Sequence, residues 1–470
     1  MAIHRSSVPS MKRENEFRYS KLANILREQI LSGYIKPGHF LMSENDLCKH
    51  YGISRTSVRK SLDQLAKEGL IVKKVGQGTI VSPDLVVEHT QNKVLRIFTT
   101  SPSNFFDHCM PILIEAFERE FPNVEVKCLS FSTSEFWESV QASIELGLRP
   151  DLILTTDRLF SDAGSMIDFI DLNDRLGEIR DLMYPRLLAP FLRDGELKGA
   201  VATFSTLYLA YNPNLFRKYG VPEPSDLWTT EEFLSAARRL TMDTNGDGID
   251  DLYGLTLSSS LNRWPVIALQ NGADFKPTSG KAPLVKTLTF IHDLLYREKV
   301  ATLSPRYVLN SEAYAREKAA MMITTSIEMA GWRNNGLDFE SKVASLPFGE
   351  RMGTMLIANA FMIPSESDEI DLAVRFLQMA LSPDMQEKLG ETAGFMSALR
   401  PINEAIWSKS LLQSLYIGED ITEYSYFLHE LFGDFGLVDD LENEMHLYWS
   451  GLESAEEIAE KLLSMMDGRD

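Results

Sequence analysis

The stretch ISRTSVRKSLDQLAKEGLIVKKVGQGTIV, residues 53–81, carries two periodicities in succession. Ser54 is a helix-capping residue type, and in the helix it would open, Val58, Leu62 and Leu65 fall on one face. Arg55, Thr56, Arg59 and Lys60 fall on another. One face is suited to packing, and the other stays in water or meets a polyanion. Gly69 stops the helix. Leu70-Ile71-Val72 and Thr79-Ile80-Val81 then flank the basic, glycine-rich Lys73-Lys74-Val75-Gly76-Gln77-Gly78, which predicts a β-hairpin.

Upstream, Leu22, Ile25, Leu26 and Ile30 recur at helical spacing, with Gly33 as the stop. Lys36-Pro37-Gly38 is a turn signal, and Ser43 with Asp46 three residues on resembles a capping box opening a short helix through His50. Tyr51-Gly52-Ile53 supplies the tight turn into the third helix. Three helices and a basic hairpin predict a winged helix-turn-helix over residues 17–82, of α+β class. Glycine at the hairpin tip lets the backbone approach a sugar-phosphate chain, while arginine contacts phosphate or pairs bidentately with guanine. The candidate DNA contacts are Ser43, Arg55, Thr56, Arg59 and Lys60, with Lys73, Lys74, Gly76, Gln77 and Gly78 of the wing.

At 470 residues and 44% apolar content, the chain is long enough for two or three domains. Its net charge of −20 is unevenly spread: residues 1–83 hold 14 Lys and Arg against 7 Asp and Glu, a net +7, which leaves −27 for the remainder. A small basic head on a large acidic body is the asymmetry expected when one piece meets phosphate and the other does not. From Pro37 to Val81, the strings Ser54-Arg55-Thr56-Ser57-Val58-Arg59, Glu68-Gly69-Leu70-Ile71 and Gly76-Gln77-Gly78-Thr79 resemble the GntR class of bacterial regulators. That class usually has Leu-Pro-Ser-Glu-Arg at the start of its second helix. Here the run is Leu41-Met42-Ser43-Glu44-Asn45, so Asn45 replaces an arginine that often contacts DNA. The resemblance implies operator DNA as a partner. A homodimer is expected, since helix-turn-helix dimers set their recognition helices about 34 Å apart on successive major grooves.

Residues 83–92 read as a linker and residues 93–470 as a large α/β region. Val94 to Phe98 is a β run, Met110 to Glu120 an amphipathic helix, and Val124 to Cys128 a second β run. The helix Phe136 to Leu146 and the strand Pro150 to Leu154 repeat the unit. Ligands gather beyond the carboxyl ends of strands in open α/β sheets, which selects Ser101, Asn104, Asp157 and Arg158. For each of these a helix cap or loop charge is the structural alternative.

Four later strings are specific: Tyr208-Leu209-Ala210-Tyr211-Asn212-Pro213-Asn214-Leu215-Phe216 with Tyr219-Gly220-Val221-Pro222; Thr241-Met242-Asp243-Thr244-Asn245-Gly246-Asp247-Gly248; Lys318-Ala319-Ala320-Met321-Met322-Ile323-Thr324-Thr325-Ser326; and Gly394-Phe395-Met396-Ser397-Ala398. Their order and spacing resemble extracellular solute-binding family 1, typified by sugar-binding proteins of ABC importers. The resemblance implies a two-lobed α/β fold of the periplasmic-binding-protein type, crossed by hinge segments, with a small solute, most commonly an oligosaccharide, in the cleft. Sugars present apolar C–H faces and rims of hydroxyls, so their sites combine aromatic plates with short polar groups. Trp264, Trp332 and Phe395 are the candidate plates, each with a core role as the alternative, and Asp157, Arg158, Ser326 and Asn359 are candidate polar contacts. Trp264, between Asn262-Arg263 and Pro265, reads as a loop residue.

Asp243-Thr244-Asn245-Gly246-Asp247-Gly248 matches the first six positions of an EF-hand loop, with Gly254 rather than glutamate at the twelfth. Asp243, Asn245, Asp247, Ile249 and Asp251 would hold a structural calcium ion, or else the segment is an Asx-rich turn. No cofactor is required. Cys48, Cys109 and Cys128 have no C-x-x-C spacing, which argues against a disulfide framework or zinc. The basic start is not followed by an apolar run, and no stretch approaches eighteen apolar residues, so neither a secretory signal nor a membrane span is expected and the location should be cytoplasmic. H-E-x-x-H, G-x-S-x-G and the P-loop pattern find no match, so the chain is not expected to be an enzyme. Two alternatives remain: an aminotransferase-like body carrying pyridoxal phosphate, as in some GntR-class chains, and a body whose cleft serves only dimerisation.

Overall fold

A computed structural model describes residues 22–27, 29–31, 35–51, 53–74, 78–85, 93–164, 166–225, 228–276, 280–304, 312–335, 337–418, 424–433 and 435–467. The chain divides into two compact units. One holds the head with Asn123–Glu125 and Glu135–Arg149, and the other holds Leu95–Pro122, Val126–Ser134 and Pro150–Asp470.

In the head, α1 spans Glu44–Tyr51 and α2 spans Arg55–Lys67. Ser54 caps α2 by accepting a bond from the Ser57 amide at 3.2 Å, and Ser57, Val58, Ser61, Leu62 and Leu65 are its buried face. Ser43 accepts from the Asp46 amide at 3.2 Å and donates its own hydroxyl to the Asp46 carboxylate at 2.6 Å, which holds the start of α1. The wing is the antiparallel pair β1, Ile71–Lys74, and β2, Gly78–Val81, in register Ile71↔Val81 to Lys74↔Gly78. Leu22, Leu26 and Ile30 of the first helical segment close one core with Leu47, Val58, Leu62, Leu65, Ile71 and Val81. Gly76 and Gln77 of the expected wing tip, and residues 86–92 of the expected linker, lie outside the described residues.

The body opens with β3, Lys93–Ser101, and α3, Asn104–Glu120, the latter capped by Ser103. Next come β4, Val124–Ser132, then α4, Phe136–Glu145, β5, Leu152–Thr156, and α5, Asp157–Ala163. Farther on lie β6, Ala200–Tyr211, β7, Tyr253–Ser258, α6, Pro265–Gln270, and β8, Ala301–Ser304. After them come β9, Ala319–Thr325, α7, Ser326–Asn335, β10, Lys342–Ala344, β11, Thr354–Met362, and β12, Ser425–Phe427. Among the described residues these strands form a ten-stranded sheet in the order β8-β7-β9-β6-β11-β5-β3-β4, with β10 also on β6 and β12 also on β11.

Two strands tie this sheet together. β6 pairs through Ala200 to Thr206 with β11 and through Leu207 to Tyr211 with β9, both antiparallel, and every one of its twelve residues is buried. β11 pairs with β5 on its other side. Burial on both faces explains the unbroken run of apolar and hydroxyl residues in β6, where a half-exposed strand would alternate. The two crossing strands define two lobes. Among the described residues no helix is long and apolar enough to cross a membrane, and Cys48, Cys109 and Cys128 form no disulfide.

Candidate functional site

On the head, Arg55, Thr56, Arg59 and Lys60 are exposed along α2, opposite the buried face, and Ser43 is exposed at the start of α1. Lys73 and Lys74 are exposed on β1 and Gly78 on β2. Lys73 pairs with Asp63 of α2 at 2.6 Å, which ties the wing to the recognition helix. Arg55 and Arg59 share one carboxylate, Glu44, at 3.2 and 2.9 Å through their Nε atoms. Sequence reading missed Glu44, because its partners lie eleven and fifteen residues away on another helix.

In the body, the two crossing strands bring several of the expected residues together. Asn359 of β11 stands opposite Thr156 of β5 and opposite Thr203 of β6. Thr203 donates its hydroxyl to the Met396 carbonyl at 2.6 Å, next to Phe395, whose ring meets Phe105 of α3 edge-on with 5.4 Å between centroids. Asp157 accepts from the Ala358 amide of β11 at 2.8 Å. Ser326 places its amide against the Ser205 hydroxyl of β6 at 2.7 Å. Asn104 donates to the Ile327 carbonyl of α7 at 3.4 Å, and a Cβ at Gly331 would come within 2.7 Å of the Asn104 side chain. Glycine at 331 therefore lets α3 and α7 close directly on each other. Ser101 and Arg158 are half-buried at the end of β3 and the start of α5. Burial pushes the Asp157 carboxyl up to about 7, against the lowering effects of the Ala358 N–H and the Arg158 charge.

A polar group unanticipated from sequence lies beside this cluster. Arg263 pairs with Glu328 of α7 at 3.0 Å, and Thr324 donates its hydroxyl to the same carboxylate oxygen at 2.8 Å. The buried Nε of Arg263 has no hydrogen-bond acceptor among the described residues. Tyr208, whose hydroxyl reaches Met329 at 3.0 Å, is buried, and burial with the Glu328 charge raises its phenol well above the usual range. The available sequence signal was Arg263 itself, a charge set between apolar Leu261 and Trp264.

Three expectations change. Trp264 is not a loop plate: it is fully buried, with Phe275 and Trp449 at 5.8 and 6.1 Å, at the start of α6, whose residues are all buried. Trp332 lies 5.4 Å from Tyr314 and packs against the small cluster of Ala210, Tyr314, Met322 and Phe339, so its ring serves packing. The acidic loop folds as an Asx-rich turn. Asp243 accepts from the amides of Asn245, Gly246 and Gly248, Asn245 from that of Asp247, and Asp247 from that of Ile249. Asp251 accepts from the Thr244 amide at 2.8 Å and pairs with Lys318 at 3.1 Å. In this arrangement the carboxylates face backbone amides and the Lys318 ammonium. Among the described residues no group of three or more His, Cys, Asp or Glu is arranged to hold a metal.

Residues 113–411 match the family model for bacterial extracellular solute-binding proteins, and residues 18–81 match that for bacterial regulatory proteins of the gntR family. The arabinose metabolism transcriptional repressor of Geobacillus stearothermophilus is 28% identical over 142 residues, 30% of this chain. The chain spans only 38% of that relative's length and 35% of the corresponding repressor of Halalkalibacterium halodurans. The arabinooligosaccharide-binding protein of Bacillus subtilis (strain 168) is 22% identical over 354 residues, 71% of this chain and 78% of the relative. Among solved structures, an ABC substrate-binding protein from Listeria monocytogenes in complex with cycloalternan shares the body fold, with a TM-score of 0.65 and 19% identity over 80% of this chain and 98% of the other. These matches replace the aminotransferase-like alternative. The chain belongs to the bacterial extracellular solute-binding protein family and joins to that body a winged helix-turn-helix head of the gntR family.

Proposed function

We propose that this protein is a sugar-responsive transcription regulator of the cytoplasm. In this reading the head binds operator DNA as a homodimer, the body takes a saccharide between its lobes, and no part performs catalysis. One observation carries the reading: two kinds of relative share one sugar in their names. Similarity over 142 residues leads to a repressor of arabinose metabolism, and similarity over 354 residues leads to an arabinooligosaccharide-binding protein. The chemistry agrees. Arg263, Glu328 and Thr324 offer charged and hydroxyl groups suited to sugar hydroxyls, near the closed contact of Asn104 with α7.

The test uses the full chain, arabinose, arabinotriose and maltotriose in calorimetry, and duplexes selected by the protein from a random library. Arabinotriose is expected to bind and to change affinity for the selected duplex, and linkage requires the duplex to change arabinotriose affinity by the same factor. Heat from none of the three sugars would defeat the sugar reading. Binding with unchanged duplex affinity would defeat the regulatory reading.

A further inference from the structure

Glu44 stands in the first turn of α1, and its carboxylate reaches across to α2, where it accepts from Nε of Arg55 and of Arg59. The guanidinium side chains are 60% and 56% exposed and Glu44 is 27% exposed, so the trio lies on the exposed face of the recognition helix. The two arginines are one helical turn apart, and a single acceptor fixes both. Both bonds use Nε, so Nη1 and Nη2 of each arginine hold no partner among the described residues. Those terminal nitrogens form the fork that reads O6 and N7 of guanine.

We infer that Glu44 is a positioning residue that aims Arg55 and Arg59 at base edges and weakens their indiscriminate attraction to phosphate. Two guanidiniums with one carboxylate carry a net charge of +1, so the trio releases fewer counterions on arbitrary DNA than two free arginines would. Guanine readout keeps the Nε bonds to Glu44 and adds contacts at the fork. A phosphate that approaches along the Nε edge must instead displace the carboxylate. The Arg59 hydrogen bond, with that of Arg55, holds the Glu44 carboxyl below its ordinary range, so it stays charged in any ordinary binding buffer. Asp46, in the same turn, bonds Ser43 and provides the internal control.

The experiment measures anisotropy with the full-length protein on two 30-base-pair duplexes, one selected by the protein from a random library and one of random sequence, across a salt series. Glu44→Gln is expected to tighten random-duplex binding about 3- to 10-fold and to steepen its salt slope by up to about 0.9. Because the selected duplex gains little, the affinity ratio between the two should fall about 3- to 10-fold. Asp46→Asn removes the same charge without freeing an arginine, and it should move both duplexes together and keep the ratio. Glu44→Asp keeps the charge but shortens the reach, and it should also lower the ratio, which preserves the test if Glu44→Gln folds poorly. A ratio within twofold of the native value in both Glu44 variants would overturn the inference. So would an equal loss in Asp46→Asn, which would reduce the effect to bulk charge.

Discussion

The head and the body each hold an arginine–glutamate group at their candidate site, and solvent treats the two groups differently. In the head, Arg55 and Arg59 share Glu44 with most of each guanidinium in water. In the body, the side chains of Arg263 and Glu328 are only 9% and 22% exposed. An exposed pair contributes about 0–1 kcal/mol and exchanges readily for phosphate or guanine. A buried pair has lost the hydration of both charges, so removal of one partner strands the other. The head's charges are therefore available to a partner, while those of the body hold the fold. Substitutions in the two regions should fail by different measurements, with stability lost in the body and affinity lost in the head.

The largest expected effects are in the body. Trp264→Ala should cost about 3–5 kcal/mol of stability, since it empties a fully buried site between Phe275 and Trp449. Glu328→Ala should cost about 3 kcal/mol, because Arg263 keeps a buried charge without its partner and Thr324 loses its acceptor. The double change Arg263→Met with Glu328→Met should cost less than Glu328→Ala alone. Urea unfolding of the three variants checks this. A Glu328→Ala protein with native stability would erase the contrast between the two pairs.

The next effect is a pH dependence. Asp157 has its folded pKa raised to about 7 by burial, above an ordinary value of 3.8, so between those limits the folded state binds more protons than the unfolded state. Its stabilising contribution is complete below about pH 4, falls by up to about 1.4 kcal/mol per pH unit toward 7, and is flat beyond. Asp157→Asn should remove that slope from melting curves recorded at pH 5, 6 and 7, and an unchanged slope would assign it to other groups.

In the head the expected loss is in binding. Arg59→Ala leaves the face of Val58, Leu62 and Leu65 untouched and should keep the melting temperature. A lost guanine contact should weaken the selected duplex by about 1–3 kcal/mol, whereas a lost phosphate contact should instead lower the salt slope by about 0.9. Unchanged affinity, slope and specificity would remove Arg59 from the interface.

The head's elements and the strand–helix–strand order of the body were legible in the sequence because both rest on short periodicities. Val58, Leu62 and Leu65 report a helix face, and the glycine-flanked run from Ile71 to Val81 reports a hairpin. The partners of charges were not legible. Glu44 meets Arg55 and Arg59 across a turn, and Arg263 meets Glu328 sixty-five residues on, distances that no local pattern records. Trp264 misled for the same reason. Its polar neighbours suggest a loop, yet Arg263 is itself buried against Glu328 and the indole beside it lies fully in the core. Position at strand ends and motif order singled out Asn359, Ser326 and Asp157 as candidates, while their placement around β6 and β11 depends on sheet topology.

The smallest expected effect concerns the loop from Asp243 to Asp251, a third arrangement of carboxylates, which needs neither a solute nor an ion. In an EF-hand loop the side-chain oxygens converge on calcium, and removal of the metal leaves like charges crowded together. Here the Asp243 oxygens accept three backbone amides, and those bonds, the one from Gly248 foremost, hold its carboxyl below the ordinary range. Asp251 is held down to about 2 by the Thr244 hydroxyl and amide and by the Lys318 ammonium. Asp243, Asp247 and Asp251 already have donors, so a chelator is expected to release nothing. Melting in the presence of EGTA should match melting in millimolar calcium within about 1 °C, a difference worth less than about 1 kcal/mol for a region of this length. A rise of several degrees with calcium, absent in Asp243→Asn, would show that the ion displaces Lys318 from Asp251 and would place this loop with the buried pair, where the partner of a charge sets stability. A flat response groups it with Glu44 and its arginines, whose exposed charges are satisfied cheaply and are open to exchange.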